Sequence, residues 1–458
     1  MTPGPPRDDA ARIWRAALAA VTPGALVGAL PADAIPVGKA GRIAVVGAGK
    51  AAAGMAAAVA ARLADDGVDP QRVTGLVSVP DGLGAWCGGI EIRATRPLGC
   101  NEPTAAVVTA TEQILDLVGA LAPDDLAIAV ITGGGSALLE APSEGIALAE
   151  SVGVARELSR AGAGIGPLNT VRRALSRVKA GGLARSCRAG RMVVLVLSDV
   201  IGDPLDLIAS GPCMPAPPDP AAARAVLEQF RIAAATAPAI RARLAGAVGP
   251  AAVPRPTGPD WTTPLGCHVS HRVVGNNATA VAAARAAAQD LGYRIAVDAP
   301  RPPAADEPAE EVGHRLLGIG HALLTASGRE GAALAWIEGG EATVRVPDHH
   351  GEGGRNQQTV LAALERALAP EPDGSGGQWP QGLVIASLGT DGEDGPTAAA
   401  GGVVDAAVAR RLAGADGAVA AALSRCDAGP LLSRGGGLIV TGPTGTNVAD
   451  LRVVLARL

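Results

Sequence analysis

The sequence has very little lysine and few aromatic residues. Of its 39 basic side chains only Lys39, Lys50 and Lys179 are lysines, and phenylalanine and tyrosine occur once each among 458 residues. This excludes a core built on aromatic packing, so the interior must consist of Ala, Val, Leu and Ile. Because lysine is a compact point charge and arginine a planar fork, we interpret the shortage as replacement by arginine wherever the two are interchangeable. The remaining lysines are therefore candidates for functional positions.

Other signals are absent as well, and each absence excludes a class of protein. The six cysteines form no C-x-x-C pair, so their spacing is not that of a metal-binding site, and we expect them to be reduced thiols. The net charge of -5 argues against a general nucleic-acid surface. No apolar stretch approaches the ~20 residues of a membrane helix, and no signal-peptide pattern is present. We expect a cytoplasmic protein without nucleic-acid or membrane partners; the oligomeric state stays open, a homodimer included.

What the sequence does contain is a recurring pattern of short apolar runs that end in glycine-rich polar loops. Continuous apolar runs without alternation indicate strands buried on both faces, which favours mainly parallel sheets covered by helices. Ligands bind beyond the carboxyl ends of such strands, where these loops would lie. The runs are Ile43–Val46, Leu126–Ile131, Met192–Leu197, Ala335–Ile337, Leu383–Ala386 and Leu438–Val440.

The length suggests two or three domains. The stretch Gly249–Pro264 contains five prolines and few helix formers, which predicts a domain boundary. We therefore predict an N-terminal Rossmann-like α/β domain at 1–255 and a C-terminal α/β domain at 256–458, with the packing of the C-terminal segment against the first domain left open. The segment Val273–Val297 predicts a strand, a helix and a strand.

Two glycine-rich loops in the first half are candidate phosphate sites. The loop GAGK at 47–50 joins a strand to an Ala-rich helix, and TGGGS at 132–136 follows another buried strand. Such turns present backbone N–H groups to anions. The first loop also fits a loose dinucleotide pattern, and a plain tight turn with an exposed lysine explains it about equally well. The predicted phosphate-binding residues here are Gly47, Gly49, Gly133, Gly134, Gly135 and Ser136.

The segment 169–182 predicts a helix with a basic face. Asn169 suits a helix N-cap, and Arg172, Ser176 and Lys179 would share one face at i, i+4 and i+7. Such a face is most often plain solvated surface. Because it adjoins anion-type loops, we predict that Lys179 contacts phosphate and that Asn169 and Arg172 contact substrate.

Acidic residues and arginine at further strand ends complete the candidate site. Asp199 follows the run Met192–Leu197 and could hold Mg²⁺ together with phosphate oxygens. Arg355 is a natural bidentate partner for carboxylate or phosphate. Asp391 and Asp394 are candidates for metal binding or for accepting a hydroxyl proton, and Asp391 is the choice for proton acceptor or second metal contact. The remaining predictions are substrate contacts at Glu341 and Asn356 and phosphate contacts at Thr444, Gly445 and Asn447.

Seven motifs in a fixed order give the chain a family resemblance. They are GAGKAAAGM, ITGGGSALL, NTVRRALSRVKAGGLA, LSDVIGDPLDLIASGP, GEGGRNQQ, GTDGEDGPTAAAGGVVD and TGPTGTNVADL, across residues 47–451. The set resembles the glycerate 2-kinases, a class also named as hydroxypyruvate reductases. The resemblance implies ATP-dependent phosphorylation of D-glycerate at its 2-hydroxyl with a divalent metal such as Mg²⁺. It also implies two α/β domains that enclose the active site in the cleft between them, and catalytic roles for Lys50 and Arg355.

Two other functions remain as alternatives. An NAD(P)-dependent hydroxypyruvate reductase would use the loop at 47–50 for its dinucleotide, but no acidic residue clearly ends the next strand, Val73–Val79. A sugar-phosphate-binding regulator would normally carry a DNA-binding module, and no basic recognition helix is evident.

Overall fold

The structure is a computed structural model of the chain. It describes residues 5–38, 40–97, 100–216, 219–246, 256, 258–296, 307–369, 377–414 and 416–458, without the side chains of 330 and 416. Lys39 and the predicted boundary residue 255 lie outside the described residues.

Helices and strands alternate along most of the chain. The helices are α1 (Pro6–Ala20), α2 (Pro23–Gly28), α3 (Ala52–Asp65), α4 (Ala105–Gly119), α5 (Leu148–Arg160), α6 (Ile165–Ala174), α7 (Gly182–Ser186), α8 (Pro220–Gln229), α9 (Pro238–Ala245), α10 (Asn277–Asp290), α11 (Ala309–Glu330), α12 (Arg355–Leu368), α13 (Ala406–Arg411), α14 (Asp416–Ser424) and α15 (Ala428–Gly435). The strands are β1 (Ile43–Ala48), β2 (Val73–Pro80), β3 (Ala85–Cys87), β4 (Ile90–Arg96), β5 (Leu126–Thr132), β6 (Arg191–Leu197), β7 (Asp260–Thr262), β8 (His268–Gly275), β9 (Arg294–Ile295), β10 (Leu334–Gly340), β11 (Leu383–Gly389), β12 (Gly401–Val404), β13 (Leu438–Ile439) and β14 (Asp450–Ala456). Every apolar run that was predicted to be a strand overlaps one.

Two compact units share the chain, and one of them is discontinuous in sequence. The inserted unit is Leu26–Val274, and the split unit joins Met1–Ala25 to Gly275–Leu458. This division differs from the predicted consecutive domains, because α1 belongs with the C-terminal half and β7 and β8 belong with the N-terminal half. The predicted strand–helix–strand segment is cut after its first strand. The C-terminal strand β14 lies in the split unit's own sheet.

The inserted unit contains an eight-stranded sheet with the order β3-β4-β2-β1-β5-β6-β8-β7. The neighbours β4, β2, β1, β5 and β6 run parallel, whereas the edge pairs β3–β4 and β7–β8 are antiparallel. All residues of β1 and β5 are buried, as the continuous apolar runs predicted. The Rossmann-like, mainly parallel sheet is therefore confirmed here. Its parallel strands bring the loops after β1, β5 and β6 to one edge of the sheet.

The split unit contains a six-stranded sheet with the order β13-β12-β11-β14-β10-β9. All pairs except β9–β10 are antiparallel, so the expectation of mainly parallel sheets is wrong for this unit. The prediction from the apolar runs failed here because β11 and β14 are buried along their whole length although they pair antiparallel. Burial reports that both faces of a sheet are covered, and it does not report strand direction.

The segment 169–182 does not form the predicted basic helix. Helix α6 begins at Ile165 and ends at Ala174, so Asn169 lies inside it and Lys179 lies beyond its end. The chain leaves the helix because Leu175 O accepts the amide of Ser143 and the amide of Arg177 donates to Ala141 O. Tertiary pairing thus overrides local helix propensity.

Within the described part of the chain, no helix is both long and apolar enough to span a lipid bilayer.

Candidate active site

The loops after β1 and β5 are joined by backbone hydrogen bonds. The amide of Lys50 donates to Gly133 O at 2.9 Å, and the amide of Ala51 donates to Thr132 Oγ1 at 3.2 Å. The amide of Gly49 donates to Ser78 O at 3.3 Å on the other side. The backbone amides of this segment are therefore already engaged in hydrogen bonds to neighbouring segments.

Close packing explains the two glycines of the first loop. A Cβ at Gly47 would lie 2.0 Å from Val130 O, and one at Gly49 would lie 2.1 Å from Thr132 Oγ1. Both positions must therefore lack a side chain for β1 to lie against β5. Their predicted contact with phosphate stays a prediction, and the structure gives them a packing role in addition.

The stem of Lys50 lies across the glycine-rich turn after β5. A Cβ at Gly134 would lie 3.1 Å from Lys50 Cγ, and Gly134 has a φ of 76°. Among the described residues, the backbone amides of 133–136 find no hydrogen-bond acceptor. A lysine side chain and a run of available amides thus meet at one strand end, which is the arrangement that binds phosphate.

Lys179 lies beneath this turn and holds it. Its Nζ donates to Ser136 O at 2.8 Å and Leu139 O at 3.0 Å, and it forms a 3.0 Å ion pair with Glu140 Oε2. The side chain is 1% exposed. These three acceptors match the three donors of an ammonium group, so the predicted direct contact with phosphate does not fit the structure.

A chain of polar side chains continues from the turn. Ser136 Oγ and Ser210 Oγ are 2.9 Å apart, and Ser210 Oγ donates to Asn169 Oδ1 at 3.4 Å. Ala209 and Ser210 have φ values of 51° and 63°, which side-chain-bearing residues rarely adopt. Such strain persists only where the surroundings enforce it and is common at functional sites.

Arg172 is half-buried on α6 near the same turn. Burial lowers the pKa of its guanidinium, and the charges of Glu140 and Glu102 work against that shift. Within the described part of the chain the Arg172 side chain has no hydrogen-bond acceptor and no ion-pair partner. A half-buried, unpaired arginine is unusual unless a ligand supplies the anion.

Asp199 follows β6 at the same edge of the sheet. The described residues contain no group of three or more His, Cys, Asp or Glu side chains arranged to hold a metal ion. The role of Asp199 as a metal ligand stays a prediction.

In the split unit, Arg355 is the first residue of α12 and is held by two acids. Its Nε and Nη2 donate to the two oxygens of Asp450 at 2.7 and 2.9 Å, and its Nη1 donates to Glu341 Oε1 at 2.6 Å. Burial lowers the pKa of the guanidinium, but the charge and hydrogen bonds of Asp450 and the charge of Glu341 outweigh it, so the pKa lies above its ordinary value. Arg355 is therefore a fixed, permanently charged cation.

Asp394 caps the beginning of α12. Its Oδ1 accepts the amide of Asn356 at 3.0 Å, and its Oδ2 accepts the amide of Gln357 at 2.8 Å. Burial raises the pKa of Asp394 to about 6, although these two amides oppose the shift. Carboxylate capping of this kind satisfies helix amides that otherwise lack an acceptor.

The side chain of Asn356 is fully engaged inside the protein. Its Nδ2 donates to Asp394 Oδ1 and Asp450 Oδ1, its Oδ1 accepts from Ser387 Oγ, and the residue is 1% exposed. The predicted contact of Asn356 with substrate therefore does not fit the structure, and the residue instead positions the acids around Arg355.

The loops after β11 and β13 lie against each other. The amide of Thr444 donates to Asp391 O at 3.2 Å, and Thr444 Oγ1 donates to Thr390 O at 2.5 Å. Gly445 has a φ of 75° and turns the second loop, and Asn447 is buried with its Oδ1 accepting the amide of Ala449. The structure thus brings Thr444 and Asp391 together, while Asn447 lies buried further along the same loop.

Sequence reasoning missed several residues of these two groups. Asp450 was missed because it is the first residue of the apolar strand β14. A carboxylate that is fully buried in such a strand needs a cationic partner, and this requirement could have identified it. Glu140 and Ser210 were passed over because each stands in an ordinary turn sequence. The signal for Asp450 was available in the sequence, and the signal for the other two was not. Asp394, a sequence candidate for metal binding or proton acceptance, is used instead as the cap of α12.

Comparison with known proteins agrees with these motifs. Residues 9–245 match a family model described as a domain of unknown function (DUF4147), and residues 334–450 match the MOFRL family. A D-glycerate 2-kinase of Thermotoga maritima is 34% identical over 356 residues, which cover 77% of this chain and 78% of the relative. A protein of Agrobacterium vitis, provisionally named a hydroxypyruvate reductase, is 36% identical and covers 97% of this chain and 93% of its own.

A solved structure matches along the whole chain. The crystal structure of glycerate kinase from Thermotoga maritima has a TM-score of 0.78 and 31% identity and covers 98% of this chain and 99% of its own. The first family model alone covers more than half of the residues. The chain therefore belongs to the glycerate 2-kinase family.

Proposed function

We propose that this chain is an ATP-dependent kinase that phosphorylates D-glycerate at its 2-hydroxyl, giving 2-phosphoglycerate and ADP. The observation that carries the proposal is the stem of Lys50 across the turn at 133–136, whose amides have no acceptor among the described residues. A cation and several amides at a strand end suit the phosphates of ATP. The likeness to named glycerate kinases along the chain supports the same function.

The phosphates of ATP would be bound by Lys50 and by the turn that contains Gly133, Gly134, Gly135 and Ser136. Lys179 serves this function indirectly, because it holds the carbonyl groups of the turn inward and so leaves the amides available. Thr444, Gly445 and Asn447 remain proposed phosphate contacts in the second unit, supported by the packing of their loop against the loop of Asp391.

In the transfer step the 2-hydroxyl oxygen of D-glycerate forms a bond to the γ-phosphorus as the bond to the β,γ-bridging oxygen breaks. ADP leaves with the electron pair, and the hydroxyl proton goes to an acceptor, for which Asp391 is the candidate. Such transfers need positioning and charge neutralisation more than covalent catalysis. We propose Lys50 as a source of positive charge for the migrating phosphoryl group, and we keep Arg355, a fixed cation of the split unit, as a proposed catalytic residue.

Arg172 and Asn169 of the inserted unit and Glu341 of the split unit remain proposed substrate contacts. Arg172 offers an unpaired guanidinium for the carboxylate group. Asn169 stands at the end of the Ser136–Ser210 chain, and Glu341 is half-exposed beside Arg355.

A magnesium ion would arrive with ATP, bound mainly by phosphate oxygens, with Asp199 as the candidate protein ligand. It would neutralise phosphate charge. We also propose a cytoplasmic location, which the six free cysteines support, because free thiols persist in reducing compartments.

The reductase alternative has less support from the loop at 47–50. A dinucleotide loop offers its amides to the pyrophosphate, whereas here the amides of Gly49, Lys50 and Ala51 are bonded within the protein. One experiment compares both functions directly. The purified protein is incubated with D-glycerate, ATP and Mg²⁺ while ADP is measured, and in parallel with hydroxypyruvate and NADH or NADPH. We expect ADP formation and no oxidation of either cofactor; the reverse result would overturn the proposal.

A further inference from the structure

A cavity of about 360 Å³ opens beside the turn at 133–136 in the inserted unit. Its polar and charged lining residues include Ser136, Glu140, Arg172, Glu102, Arg156 and Arg160. This volume is within the range of small-molecule sites. Arg156 and Arg160 already pair with Glu102 and Glu157, which leaves the guanidinium of Arg172 to bind an anion.

Two polar groups in this cavity lack a partner within the described residues. Glu140 is 5% exposed; its Oε2 is paired with Lys179, while its buried Oε1 accepts no hydrogen bond. The half-buried guanidinium of Arg172 has neither an acceptor nor an ion pair. By contrast, Glu102 and Arg156 already satisfy each other through two hydrogen bonds. An unpaired carboxylate oxygen and an unpaired guanidinium in one cavity call for a ligand that carries both an anion and a hydroxyl donor.

We propose that this cavity binds the acceptor substrate and that Glu140 is a specificity-determining residue that accepts a hydrogen bond from the non-reacting hydroxyl of a small dihydroxy acid. Arg172 binds the carboxylate group of the same molecule, and Ser136 links the cavity to the phosphate-binding turn. The proposal rests on the function proposed above. It goes beyond that function because it explains how a three-carbon acid with two hydroxyls is distinguished from one with a single hydroxyl.

The ion pair with Lys179 makes Glu140 suited to this task. The same lysine holds Ser136 O and Leu139 O, so the carboxylate has a fixed position relative to the phosphate-binding turn. A site built to bind a hydroxyl rejects an analogue that lacks it, because the buried acceptor is then left without a partner.

The test compares D-glycerate with D-lactate, which keeps the carboxylate and the 2-hydroxyl but lacks the 3-hydroxyl. KM for D-glycerate and the inhibition constant of D-lactate are measured for the wild type, Glu140→Gln and Arg172→Gln. Glu144→Gln is the matched control, since Glu144 is exposed on the same loop. We expect Glu140→Gln to raise KM for D-glycerate about 10- to 100-fold while the D-lactate constant changes less than about twofold. Arg172→Gln should weaken both ligands together, and Glu144→Gln should change neither.

Equal weakening of both ligands by Glu140→Gln, or no weakening of D-glycerate, would overturn the proposal. Should Glu140→Gln fail to fold, Glu140→Asp keeps the charge opposite Lys179 but shortens the reach, and the same difference between the two ligands is expected. A wild-type protein that forms no ADP from D-glycerate would instead refute the proposed function, so the two failures are distinguishable.

Discussion

At the scale of single residues, the shortage of lysine proved informative but incomplete. The stem of Lys50 lies across the glycine-rich turn at 133–136, and its catalytic role stays a prediction, whereas Lys179 is buried under the same turn and holds it in shape. Composition can thus single out a residue, but it cannot separate a side chain that touches a ligand from one that holds the site in shape, because both need a compact charge.

Replacing Lys50 by arginine should abolish most activity without unfolding the protein. The stem of Lys50 packs on Gly134, and the larger planar guanidinium cannot place a point charge where the ammonium stood. We expect kcat to fall at least about 100-fold with an unchanged melting temperature, since one charged phosphate contact is worth roughly 3 kcal/mol. Lys39→Arg is the natural control, because its sequence setting contains no anion-binding motif. Near-normal kinetics for Lys50→Arg would remove this lysine from the mechanism.

At the scale of elements, tertiary contacts decided what local sequence could not. The predicted helix over 169–182 ends at Ala174, because the following residues pair with the segment at 141–143. Likewise α12 begins at Arg355 because Asp394, nearly 40 residues away in sequence, caps its first amides. Such partners are invisible in a local window, so helix boundaries were the least predictable part of the site.

The turn over Lys179 should lose both stability and activity when the ammonium group is removed. In Lys179→Met the buried Glu140 carboxylate would have no cationic partner, which typically destabilises a protein by about 3–5 kcal/mol. The double variant Lys179→Met/Glu140→Met should recover most of the free energy of unfolding, because an apolar pair replaces the ion pair, but not the activity. Urea unfolding would be measured for both variants and kcat for Lys179→Met; an unchanged kcat in Lys179→Met would contradict a positioning role for Lys179.

The cap of α12 predicts an acidic limit of activity. Asp394 has a folded-state pKa of about 6, so below that pH its carboxyl takes up a proton and loses acceptor capacity for the amides of Asn356 and Gln357. Because this pKa is raised above its ordinary value, protonation favours the folded state, and the Asp394 contribution to the free energy of unfolding grows as the pH falls from 6 towards 4. We expect kcat to fall below pH 6 while this group causes no loss of stability.

The matched variant for this prediction is Asp394→Asn. It should have a lower kcat at pH 8, since an amide can accept only one of the two helix amides well, and the step in kcat near pH 6 should disappear. An acidic step that persists unchanged in Asp394→Asn would assign it to another group.

At the scale of the whole molecule, sequence patterns predicted the strands and one of the two sheets. Buried apolar runs located β1, β5, β6, β10 and β11 correctly, and the Rossmann-like sheet of the inserted unit followed from them. The antiparallel sheet of the split unit could not be predicted in this way, because a strand buried on both faces has the same continuous apolar sequence whether it pairs in parallel or antiparallel. The discontinuous composition of the split unit could not be predicted either, since nothing in the local sequence of α1 indicates that this helix belongs with the C-terminal half.

The central claim is that the chain transfers phosphate to the 2-hydroxyl of D-glycerate. The most direct measurement incubates the purified protein with D-glycerate, ATP and Mg²⁺ and adds enolase, which dehydrates 2-phosphoglycerate to phosphoenolpyruvate. We predict that phosphoenolpyruvate forms with enolase alone. Formation that requires added phosphoglycerate mutase would show the 3-phosphate as the product and contradict the account.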